Sequence, residues 1–117
     1  GETSINSLIE NHPENKQLGD LIFGDNALGT LLSKNGFPTV PSSIDRAPEH
    51  NEPFFSGGTN TKNYGSKSQN GVDAIQLELN RNGIRQDIQD RERFSKVFAN
   101  ILIDYLKFHY SDVFPSN

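Results

Sequence analysis

The chain has 117 residues, no cysteine and a formal net charge of −4. That excludes a disulfide framework and a thiolate metal site, and gives no basic footprint for nucleic acid. The hydrophobic fraction of 32% is low for a globular chain, and no run approaches the ~20 apolar residues of a membrane span or the make-up of a signal peptide.

The length accommodates one domain at most. The chain starts at Gly1 and has no methionine, which reads as a processed product, an excised piece or a tagged chain. In chain order, Ile5, Leu8 and Ile9 recur at helical spacing behind Thr3-Ser4, a plausible cap, and His12-Pro13 ends that pattern. Asp20-Leu21-Ile22-Phe23-Gly24 is a short apolar run between turn formers and reads as a buried strand. Asp25 or Asn26 then caps a short helix with Leu28, Leu31 and Leu32 toward the core, stopped by Asn35-Gly36. Phe37 to Val40 returns as a second strand, with Pro38 at a strand end or edge. The expected unit is strand–helix–strand, parallel and right-handed.

From Pro41 to Gly71 the chain turns rich in Pro, Gly, Ser and Asn. A loop of that length tends to be functional or disordered. Phe54-Phe55 followed by Ser56-Gly57-Gly58 favours an ordered loop folded over a site, because aromatics seek burial and paired glycines permit close backbone approach. Glu92 to Tyr110 carries Phe94, Val97, Phe98, Ile101, Leu102, Tyr105 and Leu106 as a broad helical stripe, capped by Asp87 or Asp90. Such a stripe is core packing.

The stretch Val72 to Arg81 carries the chemistry. As a strand it points Ile75, Leu77 and Leu79 one way and Ala74, Gln76 and Glu78 the other. A carboxamide and a carboxylate at the carboxyl end of an interior strand sit where open α/β sheets place their ligand crevice. The alternative is an amphipathic edge strand with both groups in water. Glu78 is the candidate general base. Arg81 is a candidate carboxylate fork or a strand-end salt bridge. Asp20 and Asp25 read as turn and cap residues. His12, His50 and His109 show no metal-ligand spacing; only His50, in the long loop beside Glu49 and Glu52, falls near the expected crevice. Gly24-x4-Gly29 lacks the Lys-Ser/Thr of a phosphate loop.

Leu21-Ile22-Phe23-Gly24-Asp25, the helix Ala27 to Lys34, Gly36-Phe37-Pro38-Thr39-Val40-Pro41, Phe55-Ser56-Gly57-Gly58, Asn63-Tyr64-Gly65 and Val72 to Arg81, taken in this order, resemble the C-terminal half of the N-formylglutamate amidohydrolase family. The resemblance spans roughly Leu18 to Leu106, and its most specific piece is Ala74 to Arg81 preceded by Gly57-Gly58. It implies an α/β zinc-hydrolase fold, here a partial mixed or parallel sheet with flanking helices, and hydrolysis of an amide on an N-acyl amino acid. By that resemblance Glu78 is the catalytic carboxylate, Arg81 and Gln76 fix the substrate or the site wall, and Gly57 and Gly58 bring backbone to the ligand. The family's zinc ligands lie in its other half, which has no counterpart here. Zinc is therefore expected only if that half is supplied, and none is expected on this chain alone.

A generic scaffold domain with coincidental motif similarity is one option. Two further expectations follow from the resemblance: the chain is half of an amidohydrolase completed by a second polypeptide, or it is a non-catalytic secreted or matrix-associated structural or binding protein of that lineage. In both a partner is expected, a second polypeptide or a second copy, because so short a chain leaves a sheet face exposed. Neither nucleic acid nor membrane is expected as a partner.

Overall fold

The computed structural model describes residues 3–53, 57–68 and 71–114. Phe54, Phe55 and Ser56, to which the sequence assigns a site-covering role, lie outside them.

The organising element is a 22-residue helix, Ile88–His109. The residue before it, Asp87, is extended, and its carboxylate accepts the Asp90 main-chain N–H at 2.9 Å, which satisfies one of the helix's orphan donors. The apolar stripe then buries Phe94, Ile101 and Tyr105 on one face. A seven-residue helix, Leu28–Lys34, packs against it. Between the two lies a core of Leu32, Phe37, Phe94 and Ile101. Phe37 meets Phe94 edge to face at 5.1 Å, and Phe94 stacks on Phe98 at 5.4 Å. The Arg93 guanidinium sits 4.7 Å from the centre of the Phe37 ring. Aromatic pairs in these geometries add about 0.5–1.5 kcal/mol beyond the area they bury.

A second, smaller core joins Ile5, Leu8 and Leu21. It is formed by two six-residue helices, Asn6–Asn11 and Leu18–Phe23. The remaining short helix, Thr59–Tyr64, lies inside the Pro41–Gly71 stretch and is followed by a 3-10 turn, Ser66–Ser68. In chain order the helices are α1 (Asn6–Asn11), α2 (Leu18–Phe23), α3 (Leu28–Lys34), α4 (Thr59–Tyr64) and α5 (Ile88–His109).

Among the described residues there is no strand and no sheet, so the α/β architecture expected from the sequence is replaced by a helical one. Each expected strand has its own reason. The run at Asp20–Gly24 coils as α2 because Gln17 and Asp20 form a capping box: the Gln17 side chain takes the Asp20 N–H, and the Asp20 carboxylate takes the Gln17 N–H. Phe37 to Thr39 spends its polar groups locally. Thr39 donates its N–H to Ser33 Oγ and its hydroxyl to the Phe37 carbonyl, leaving neither for a ladder. Val72 to Asn80 is neither helical nor paired in a ladder, and it then enters a wide turn at Arg81–Arg85, where Gly83 has φ 79°. Two expected caps also differ. The residue flanking α1 is Ile5 and the one flanking α3 is Ala27, both without a side-chain cap bond.

The shape is open. A compact monomer of 13.0 kDa exposes about 6,300 Å² by the usual scaling, whereas this chain exposes 8029 Å². Its radius of gyration is 14.6 Å, against about 13 Å for a chain of this length.

Candidate functional site

The site is built on the segment Val72–Asn80, which is held at its two ends. Near the first, the Ala74 N–H donates to the Ser4 carbonyl at 3.0 Å, and the Ser4 hydroxyl donates to the Ala74 carbonyl at 2.6 Å. The neighbouring Asp73 carboxylate takes the Ser66 hydroxyl at 2.6 Å on one oxygen and the Tyr110 hydroxyl at 2.9 Å on the other. At the second end, the Arg85 Nε–H donates to the Leu79 carbonyl at 2.8 Å, and the Leu79 side chain packs against the α3–α5 core. Between these anchors, the main-chain N–H and C=O groups of Ile75, Gln76, Leu77 and Glu78 have no hydrogen-bond partner among the described residues.

Gln76 and Glu78 meet as the sequence pattern anticipates. The Gln76 Nε2–H donates to Glu78 Oε1 at 2.6 Å, a contact between residues i and i+2 that belongs to one face of an extended chain. The Gln76 Oε1 in turn accepts the Gly58 N–H at 2.7 Å. A Cβ on Gly58 would fall 2.7 Å from that oxygen, so glycine lets the loop come this close. Gly57, at φ 86°, holds a backbone conformation that favours glycine. Gly57, Gly58, Gln76 and Glu78 are thus brought together across the Pro41–Gly71 stretch, and the backbone that the two glycines bring in approaches Gln76.

Gln76, Glu78 and Gly57 line a cleft of about 490 Å³. Its apolar wall comes from Leu21, Leu28, Leu32 and Leu77, and Lys62 and Lys67 also line it. A second cleft, of about 610 Å³, lies along α5 and is lined by Leu102, Tyr105, Leu106, Tyr110, Asp73 and Val113 among others. Ile75 and Tyr105 line both, so the extended segment is the partition between them. Burial pushes the Tyr105 phenol up to about 12, with a smaller push from the Asp73 charge. Burial raises Tyr110 further, helped by its hydrogen bond to the Asp73 carboxylate.

The other sequence candidates stand apart. Arg81 is exposed in the turn that follows the segment and lines neither cleft. His50 is exposed, with its Nδ1 3.3 Å from Asn51 Oδ1. Asp20 caps α2, and Asp25 makes an exposed ion pair with Lys34 at 3.6 Å. His12 and His109, which show no motif in the sequence, are the buried histidines: they are 4% and 2% exposed and bond each other at 2.8 Å. No local sequence signal announces that pair, because 97 positions separate its members.

Among the described residues no group of three or more His, Cys, Asp or Glu side chains is placed to hold a metal ion. With no sheet among the described residues either, the zinc-hydrolase character implied by the resemblance finds no counterpart in the fold. No helix among the described residues is long and apolar enough to cross a membrane. Comparison of the chain with protein-family models, with curated proteins and with solved structures gives no match in any of the three.

Proposed function

We propose that this chain is a protein-binding module that takes an extended strand of a second polypeptide along Ile75–Glu78. One observation carries the reading: four consecutive residues of an anchored, extended segment keep both main-chain groups unpaired among the described residues. Such a row is a template for an added strand. The groups of Ile75 and Leu77 face one edge, and those of Gln76 and Glu78 face the edge on which Ser4 already holds Ala74. Each hydrogen bond formed contributes on the order of 1 kcal/mol. The flanking clefts supply apolar pockets for the alternating side chains of an incoming strand, which is how strand-adding domains obtain specificity.

The test begins with linear peptides selected from a random library against the whole chain. A bound peptide is expected to slow amide exchange at Ile75 and Leu77, or at Gln76 and Glu78. Leu77→Pro and Glu78→Pro remove a donor from opposite edges, so one of the two variants should lose binding and the other retain it. Peptides that bind without changing exchange in this segment, or that bind both variants as well as the parent chain, sink the reading.

A second reading keeps Glu78 for amide hydrolysis once a second polypeptide is in place. Its support is the Gln76 carboxamide held against Oε1 of the Glu78 carboxylate at the cleft, which would leave the other carboxylate oxygen to take a proton from a water molecule.

A further inference from the structure

His12 follows the last residue of α1, and His109 is the last residue of α5. Their rings lie in a series of hydrogen bonds whose direction is fixed by the main chain at both ends. The Glu14 N–H donates to His12 Nδ1 at 3.0 Å; an amide can only donate here, so Nδ1 is bare and the His12 proton is on Nε2. That proton points to His109 Nδ1 at 2.8 Å, which must be bare in turn. The His109 proton is then on Nε2 and goes to the Asn26 carbonyl at 2.7 Å, which can only accept. Both rings are neutral and in the same tautomer. All four ring nitrogens are in use, and an added proton has no vacant place. On His12 Nδ1 it would confront the Glu14 N–H, and on His109 Nδ1 it would confront the His12 Nε2–H.

We propose that the His12–His109 pair is an acid-sensitive latch, which holds α1 against the end of α5 while both rings are neutral and releases it when either is protonated.

The surroundings favour the neutral pair. Burial is the largest influence on both rings and lowers both from the ordinary histidine value. The Lys16 ammonium acts the same way on each, whereas the Glu14 carboxylate acts the other way on both and Asp20 does so on His12. The Asn26 carbonyl also favours a charged His109, and burial outweighs it. From α5 the neighbours of His109 are the Tyr105 ring at 4.5 Å and the Phe108 ring at 4.9 Å. Neither is charged near neutrality, since the Tyr105 phenol is pushed up to about 12. Tyr110, just past α5, is likewise neutral on its bond to Asp73. With folded values below the unfolded one, the unfolded ring binds protons first. The stabilisation is complete above the ordinary value of about 6.5 and is lost as the pH falls below it.

The test uses the whole chain. Imidazole nitrogen resonances at about pH 7.5 should show both rings neutral with the proton on Nε2. Between about pH 7.5 and about pH 5.5, corrected for intrinsic exchange, the amides of α1 should lose protection on the order of tenfold per histidine. The amides of α5 around Phe94 to Ile101 should not follow. In His12→Gln that loss should shrink to the part carried by His109, on the order of tenfold. If that variant fails to fold, the nitrogen spectra and the exchange of the parent chain still decide. A charged ring or an Nδ1–H tautomer at about pH 7.5 overturns the latch. So does α1 protection that ignores pH, or a loss shared equally by α1 and α5.

Discussion

Ser4 and Ala74 hold each other by two reciprocal hydrogen bonds, with the Ala74 N–H on the Ser4 carbonyl at 3.0 Å and the Ser4 hydroxyl on the Ala74 carbonyl at 2.6 Å. Ser4, two residues ahead of α1, therefore fixes the start of the extended segment. Ser66 adds to the same knot by donating its N–H to the Ser4 carbonyl, while its hydroxyl goes to the Asp73 carboxylate at 2.6 Å.

Ser4→Ala removes the hydroxyl donor and leaves the Ala74 N–H bond in place. The expected loss is about 0.5–1.5 kcal/mol, concentrated in the segment. Amide exchange at Ala74 should accelerate while exchange in the centre of α5 stays as it was. An effect spread evenly over the chain would show that Ser4 does not anchor this segment in particular.

Gly29→Ala should be destabilising although alanine is the better helix former. A Cβ at this position would lie 1.9 Å from the Pro41 carbonyl oxygen and 3.3 Å from Thr39 Cγ2. The closer contact is backbone, which cannot swing aside. Propensity favours the change by about 1 kcal/mol at most, while overpacking costs about 1–3 kcal/mol, so the clash wins. Thermal unfolding checks the sign: a Tm at or above that of the parent chain would mean that Pro41 can retreat.

Glu78→Gln separates the two functional readings. Glu78 is exposed and its side-chain contact is with Gln76, so stability should change by less than about 0.5 kcal/mol. If the segment works through its main chain, affinity for a selected extended peptide should stay within about twofold. If the carboxylate does chemistry, amide hydrolysis by the assembled protein should vanish while peptide affinity survives.

The two tyrosines beside Asp73 predict a loss of stability in alkali. Tyr105 and Tyr110 are both raised, chiefly by burial. For an acid with a raised folded value, the stabilisation is present below the unfolded value of about 10 and is lost as the pH climbs above it. Denaturation midpoints measured from about pH 8 to about pH 11 should therefore fall above about pH 10. Tyr110→Phe should flatten part of that fall while lowering the midpoint at neutral pH, because the Asp73 oxygen loses its donor. A pH profile unchanged by the substitution would refute the assignment.

What could be read from the sequence followed from how many residues carried each signal. Phe94, Val97, Phe98, Ile101 and Tyr105 span three turns, which only a helix brings to one side, and α5 follows with Asp87 as its cap. Leu21-Ile22-Phe23 spans less than one turn and cannot distinguish a coil of helix from a strand. The deciding pair, Gln17 with Asp20, lies partly outside that run and uses Gln where Ser or Thr is the usual cap. α4 carries Thr59, Asn60, Thr61, Lys62 and Asn63 before Tyr64, with no apolar stripe to announce it. At the site, Gln76 meets Glu78 and Gly58 approaches Gln76, although the buried strand that the period-two spacing implies is absent among the described residues. The neighbours of an extended segment are another matter. They depend on chain brought in from elsewhere, which spacing within Val72–Asn80 does not encode.

The anchoring of that segment also sets the entropy of any association. A slack arm of four residues would have to be ordered as a partner arrived, at about 1–2 kcal/mol per residue for the backbone alone. Here Ser4 grips one end through Ala74 and Arg85 grips the other through Leu79, so the backbone between them has less freedom to lose than a slack arm would. Were a strand to dock on Ile75–Glu78, a larger share of the entropy lost would be the partner's own.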